Sequence, residues 1–457
     1  MRIAALVKQI PAFEEMELGP DGRLRREGLE LEMNPYCRRA VAQAVALAAS
    51  LPGEHECVFV TLGPPAAEDT LREAIAWATD HGVAGVGVHV CDPAFAGSDT
   101  LATARALAAA LQHVGQFDLV LTGRNSVDAD TGQVGPQLAQ MLALPFLTGV
   151  RELTVQGDLV HVRCEHDDES VVAEVRLPVM CSTAERLIDP CKVDPDGRAA
   201  VPGDRIRRLT ASDLGVGPWG QAGSPTWVGE VRVVSHTRVR TILDGDVADQ
   251  ARHAVDLLVS RGAFAASEVA APEPVAPARA VGGQPVAVIV EPGRAHDTRE
   301  LLGAAARLAA QIGGHAVALR SRDDDDAQLA RWGADVVVAL DGVHLEEDVA
   351  NAVTAWADER APWAVLAPST AWGREVAGRV AAATGSGLTG DAVDLEVDDG
   401  RLLAWKPAFG GQLVAAIHAS SPVQMATVRV GVLPSLEPRA RQIGITGRSI
   451  ADRKSVV

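Results

Sequence analysis

From residue 285 the chain repeats an order of elements that it has already run through once. In the first pass "RIAALV" (2–7) reads as a short buried strand. "MNPYCRRAVAQAVALAASL" (33–51) follows as a helix, with Asn34 at the N-cap position and Pro35 in the first turn. Strand "CVFVTLG", helix "TLREAIAWATDHG", strand "VAGVGVHV", helix "TLATARALAAALQHV" and strand "FDLVLTG" come next. In the second pass "PVAVIV", "HAVALR", "ADVVVAL" and "PWAVLAPS" are the strands, with helix "TRELLGAAARLAAQIGG" after the first. Alternation of this kind means a parallel sheet with helices on both faces.

Each pass then changes texture in the same way. Residues 145–187 contain three strand-like runs joined by polar turns, a hairpin-rich antiparallel extension. The turn "FLTGVRELTV" (Phe146 to Val155) returns as "GLTGDAVDLEV" (Gly387 to Val397). The expected fold is therefore α/β: two duplicated, doubly wound parallel-sheet domains, each with an antiparallel extension. The bounds are 1–262 and 285–434, with an Ala/Pro-rich linker at 263–284 that has too little apolar bulk to pack, and a tail at 435–457. Residues 203–262 have no counterpart in the second pass and are expected to cross an interface.

Composition narrows the partners. A formal charge of −18 argues against nucleic acid and anionic membrane surfaces. No window approaches the roughly 18 apolar residues of a membrane span, and the opening "MRIAALVKQIPAFEEM" has no signal-peptide pattern, so a cytoplasmic protein is expected. The 6 cysteines form no CxxC pair, which argues against zinc and dithiol chemistry. "RDDDDAQLARWG" (322–333) reads as an acid-rich helix start and "EHDDES" (165–170) as a polar hairpin turn rather than metal sites.

The chemistry gathers in "DADTGQVGPQLA" (Asp128 to Ala139), where a Gly-rich loop opens into a helical pattern. The amides of Thr131, Gly132, Gln133, Val134 and Gly135 would face an anion at the helix start. Gly132 and Gly135 would give a ligand room to approach the backbone. Asp128 and Asp130 would cap neighbouring amides or accept from ribose hydroxyls, which suits a nucleotide better than bare phosphate. In a doubly wound sheet such ligands sit outside the carboxyl ends of the strands, here near Leu6, Lys8 and Leu62, with Asn34 adjoining.

"LVKQIP", "MNPYC", "VTLGP" and "TGRNSVDADTGQVGPQLAQML", in that order, resemble the beta subunit of electron transfer flavoproteins over residues 1–262. "GREVAGRVAAATGSGLTGD", "KPAFGGQLVAAI" and "PVQMATVRVGV" are similar to the N-terminal domain of the alpha subunit over 285–434. The resemblance implies a beta–alpha fusion on an adenine-nucleotide-hydrolase-like fold. It also implies AMP, or a second FAD as in electron-bifurcating members, at Leu6, Asn34, Leu62, Asp128 and Thr131 to Gly135, with Lys8 near the phosphate. Lys406, Phe409, Gly410 and Gly411 would form one wall of the cleft for the redox FAD. The family's Gly-Gly-Arg-Gly and Gln-Val-Gly-Gln-Thr-Gly flavin motifs do not occur in this sequence, so the resemblance implies an FAD domain on a partner polypeptide. A dehydrogenase or quinone-linked acceptor would complete the electron path. The segment "AERLIDPCKVDPDGRAAVPGDRIRR" (184–208) lacks the tyrosine and lysine cluster of the family's docking loop, which weakens the case for acyl-CoA dehydrogenases.

Two other classes compete. A nucleotide hydrolase or adenylyl-transferring enzyme would need a Ser-Gly-Gly-x-Asp-Ser loop after the first strand, and "VKQIPAFEE" offers none. A non-redox nucleotide-binding scaffold or sensor that has lost the flavin domain is the remaining alternative.

Overall fold

The computed structural model describes residues 1–12, 29–233, 241–264, 273–321, 325–440 and 448–451. The first half opens with β1 (Arg2–Leu6), β2 (Gln9–Pro11), β3 (Leu31–Met33), α1 (Pro35–Ser50), β4 (Glu56–Leu62), α2 (Glu68–Asp80) and β5 (Ala84–Val90). It continues with α3 (Thr100–Val114), β6 (Leu119–Gly123), α4 (Val134–Leu142), β7 (Phe146–Gln156), β8 (Leu159–Glu165), β9 (Ser170–Arg176) and β10 (Val179–Thr183). After these come α5 (Pro195–Ala199), β11 (Ile206–Leu209), α6 (Ala211–Leu214), β12 (Thr226–Val233) and α7 (Val247–Ser260). The strands β11-β5-β4-β1-β6-β10-β7-β8-β9 make one sheet.

The second half has β13 (Pro285–Val290), α8 (Ala295–Ile312), β14 (His315–Arg320), α9 (Asp326–Trp332), β15 (Val336–Asp341), α10 (Glu346–Arg360), β16 (Ala364–Pro368) and α11 (Ala371–Thr384). It ends with β17 (Gly387–Ala392), β18 (Asp394–Asp398), β19 (Arg401–Ala408), β20 (Leu413–Ala419), β21 (Gln424–Val428) and β22 (Arg448–Ala451). Its parallel sheet runs β17-β21-β16-β13-β14-β15-β22. The fold class expected from the repeat is the one observed, and apolar clusters fill both faces of each sheet.

Three details depart from expectation. The extension of residues 145–187 is not purely antiparallel. Its last strand, β10, pairs parallel with both β6 and β7, and β21 does the same between β16 and β17. All five residues of β10 are buried, as a strand covered on both faces requires, whereas β9 at the sheet edge alternates exposed and half-buried positions.

The two extensions also diverge. β7 runs unbroken for 11 residues, but its counterpart turns at Asp391, where φ is 60°, and resumes as β18. That turn frees β18, β19 and β20 to form a separate sheet, completed by β12 from the first half's tail. β12 pairs antiparallel with β20 from Thr226–Ala419 to Val233–Leu413, so residues 203–262 do cross to the other half.

The third departure concerns the linker. Although poor in apolar bulk, it buries Val275 in the second half's core. The Val275 amide donates to the Glu437 carbonyl at 3.0 Å, and Arg439 of the expected tail pairs with Asp335 at 3.1 Å.

Candidate functional site

The carboxyl ends of β1, β4 and β6 meet at one edge of the first sheet. β1 delivers Leu6 and then Lys8, and the Lys8 carbonyl accepts the Asn34 amide at 2.9 Å. β4 ends at Leu62, and Gly63 donates to Val90 at 3.1 Å. β6 ends at Gly123, where a Cβ would stand 2.8 Å from Tyr36 Cβ; the start of α1 therefore lies directly against the strand end.

Asn34 occupies the N-cap position of α1 but makes no side-chain cap. Fully buried, it ties down the loop instead: Nδ2 donates to the Asn125 carbonyl at 2.9 Å and Oδ1 accepts from the Val127 amide at 3.2 Å. Ser126 then closes a tight turn, its carbonyl accepting from Ala129 and Asp130 at 3.1 and 2.7 Å. Asp130 and Gly132 take left-handed backbone at φ 47° and 63°, and α4 begins at Val134.

Among the described residues no acceptor takes the amides of Thr131, Gly132, Gln133, Val134 or Gly135. A run of unpaired donors at a helix start is the arrangement that anions fill. The Asn125 Oδ1 and Gln133 Nε2 atoms are likewise buried without a partner.

The structure gives several of these residues partners that the sequence did not suggest. Lys8 is already engaged, with Nζ 2.7 Å from Ser126 Oγ and 2.8 Å from Asp128 Oδ1. Asp128 thus turns its carboxylate to Lys8 and Ser126. Burial works against its ionised form, but the Lys8 charge and the Lys8 and Ser126 donors outweigh that and hold its carboxyl below the usual range. Gly135 leaves no room for a ligand on its Cα side, because a Cβ there would stand 2.9 Å from the Phe146 ring. A Cβ on Gly132 would meet Arg374 of the second half at 3.3 Å. These glycines serve close packing.

The second half covers the loop from outside. Phe409 donates its amide to the Asp128 carbonyl at 3.1 Å, through a turn in which Phe409, Gly410 and Gly411 all have positive φ. The two candidate clusters named from the sequence are thus contiguous. Lys406, just before this turn, is buried, and among the described residues its Nζ donates to the Pro407 carbonyl alone, at 3.4 Å. Burial pushes its pKa down to about 8, against the pull of Asp391 and Asp130.

A lysine whose charged form is disfavoured by folding contributes stability near its ordinary value of 10.5 and loses it as pH falls through about 8. Lys406→Met is therefore expected to unfold at a higher temperature than the parent at pH 7, with the gap closing above about pH 10. Calorimetry across that range checks it, and a variant less stable at pH 7 would contradict the assignment.

A cavity of about 330 Å³ lies between the halves, lined by acids, arginines, Ser369 and Thr370. Arg374 approaches Asp391 at 3.6 Å and Asp130 at 3.9 Å, and Arg429 also pairs with Asp391. Sequence reasoning missed Asn125, Ser126, Arg374, Asp391 and Arg429. One signal was available: Arg374 stands in the first turn of α11, where the helix dipole disfavours a cation and an external acid must hold it.

A family model described as "Electron transfer flavoprotein domain" matches residues 21–205 and 286–452. The chain is 34% identical over 265 residues to "Electron transfer flavoprotein subunit beta" of Thermoanaerobacterium thermosaccharolyticum, covering 57% of this chain and 99% of that protein. It is 35% identical over 231 residues to "Caffeyl-CoA reductase-Etf complex subunit CarD" of Acetobacterium woodii, covering 50% and 86%. "Protein FixA" of Azorhizobium caulinodans is 33% identical over 249 residues, covering 50% and 84%. No described helix is long and apolar enough to cross a membrane.

Proposed function

Since the chain belongs to the electron transfer flavoprotein family, we propose that it is an electron-transfer component that binds an adenine nucleotide and cradles a flavin carried by a partner. The observation that carries this reading is the unpaired run of amides from Thr131 to Gly135, set at the strand ends beside Leu6, Asn34 and Leu62. AMP, or FAD in its place, would rest its phosphate on those amides. Asn34 would hold the loop in shape. Lys8, by neutralising Asp128, would keep a carboxylate from repelling the phosphate. Residues 1–262 act in this reading as the beta-like part and 285–434 as the alpha-like N-terminal part of one fused chain.

The redox FAD would supply electron transfer, and this chain would position it. Lys406 brings a positive charge toward the reduced, anionic flavin, although it lacks the planar fork of an arginine. The Phe409–Gly411 turn forms the adjoining wall. Relatives named as parts of reductase complexes support partner subunits. α7 supports them as well, because it leaves Val247, Val255, Leu258 and Val259 uncovered. The donor and acceptor would be a dehydrogenase and a quinone-linked or similar protein.

Titration calorimetry tests the nucleotide site. The parent should bind one AMP or FAD per chain, and Lys8→Ala, which leaves Asp128 unpaired at the loop, should weaken binding about tenfold or more. Failure of the parent to bind either nucleotide overturns the site. The flavin reading is separate. With its nucleotide site saturated by AMP, the lone chain should not retain added FAD through gel filtration, because an open face cannot enclose the 70–90% of the surface that ligand sites typically bury. A complex with its flavin-domain partner should be yellow.

A further inference from the structure

The turn between β8 and β9 and the turn between β19 and β20 hold matching places in the two halves, and each reaches across to the other. Phe409 of the second half donates to Asp128 of the first. In return, Asp167 Oδ2 accepts the Ala371 amide at 2.6 Å, and Asp168 Oδ2 lies 2.8 Å from Arg294 Nη2. The two turns differ in chemistry: Phe409-Gly410-Gly411 is neutral, while His166-Asp167-Asp168-Glu169 is acidic.

The places they enter also correspond. α4 and α11 both follow the strand that lies beside the first strand of their sheet, β6 beside β1 and β16 beside β13. Residues 124–133 separate β6 from α4, but only Ser369 and Thr370 separate β16 from α11. The long loop leaves its helix-start amides without acceptors. In the short one, Thr370 Oγ1 takes Gly373 and Asp167 takes Ala371.

We propose that the acidic turn is a built-in anion: Asp167 and Asp168 occupy the second half's counterpart of the open loop and close it to phosphate. The cavity beside the contact supports this. Its lining places Arg294, Arg374 and Arg429 against Asp130, Asp167 and Asp391, so Asp167 is one of the acids that offset the three arginines. Removing both carboxylates of the turn would leave a helix-start amide and the Arg294 guanidinium, which keeps Glu291 at 3.7 Å and Asp297 at 3.9 Å on its other sides, facing a space large enough for a phosphate group. The neutral turn leaves the first half's loop open, so the duplicated fold keeps one anion-accepting helix start.

The test uses the full chain with Asp167→Ala and Asp168→Ala combined, and inorganic pyrophosphate as the probe. Binding at the first half's loop occurs in parent and variant alike, and because Asp130 belongs to that loop and also lines the cavity, a gain is assigned to the second site by its dependence on Arg294. That dependence reads the second site whether or not AMP binds the first. The variant should bind pyrophosphate about tenfold more tightly than the parent, or take up an additional equivalent. Adding Arg294→Ala to that variant should abolish the gain. Equal binding by parent and double variant, or a gain that survives Arg294→Ala, overturns the proposal. Should the double variant not fold, Asp167→Ala alone is read by amide exchange at Ala371. Protection restored by pyrophosphate supports the proposal, and protection unchanged by it counts against it.

Discussion

Above about pH 8, where Glu375 is ionised, Arg379→Ala should destabilise the chain by about 3–5 kcal/mol, the range for removing one partner of a buried ion pair. Arg379 sits in α11 at 2% exposure, where that helix packs on α4 across the junction of the halves. Its Nε lies 3.2 Å from Glu375 Oε1 and its Nη1 donates to Gln140 Oε1 at 3.3 Å. Truncation leaves Glu375 buried without its cation and Gln140 without its donor. Glu347, 3.8 Å from Arg379 and half exposed, is a second acid and supplies neither a cation nor a donor in its place. Pairing Arg379→Met with Glu375→Leu should recover most of the loss, because apolar side chains of similar volume need no partner.

Denaturant unfolding measures both variants, and a single variant within about 1 kcal/mol of the parent would show that the pair contributes little. The pH dependence follows from burial, which pushes the Glu375 carboxyl up to about 8 against the Arg379 charge. A carboxyl raised by folding lends stability at low pH and loses it as pH climbs from the usual carboxylate range through about 8. Glu375→Gln should flatten that decline.

Cutting the chain between Phe264 and Glu273 should leave two fragments that travel together on a sizing column at micromolar concentration. β12 lies before the cut and its partner β20 after it, with register continuous apart from one irregularity between Val228 and Val231. α4 packs on α11 so closely that a Cβ on Gly378 would stand 2.8 Å from Pro136 Cγ. The two exchanged turns add polar contacts on either side. Clean separation would mean that the ladder and helix pair are too weak to hold without the covalent tie. Deleting Thr226–Val233 as well should drive the second fragment toward aggregation, because β20 would then present an unpaired edge.

What could be read in the sequence were features that depend on neighbours along the chain. The repeated alternation gave both parallel sheets. "PVAVIV" and "HAVALR" coincide with β13 and β14, and "TLATARALAAALQHV" with α3. α9 matches the acid-rich helix start read at "RDDDDAQLARWG", with Asp325 as its cap, but α10 went unassigned despite the acids Glu346 to Asp348 in its first turn. β10 was folded into the hairpins because its unbroken apolar run was not weighed against the alternation in β9.

Features set by residues distant in sequence were not legible. "EHDDES" is the polar turn it was taken for, yet nothing local says that Asp167 ends on a helix more than 200 positions away. Lys8 and Asp128 were both placed at the loop, but their pairing with each other depends on how β1 and β6 lie side by side. The glycines of "TGQVG" suggested ligand access, whereas Phe146 and Arg374 take up that space.

The anchoring of Val275 to Glu437 shortens the tether between the halves. No more than 41 residues, 234–274, separate the end of β12 from that anchor. One half therefore sees the other at an effective concentration on the order of millimolar, however dilute the solution. Their assembly becomes a first-order event with fixed one-to-one stoichiometry. Translation of a single message supplies both pieces together, and the edge of β20 has its covering strand already made, upstream on the same polypeptide.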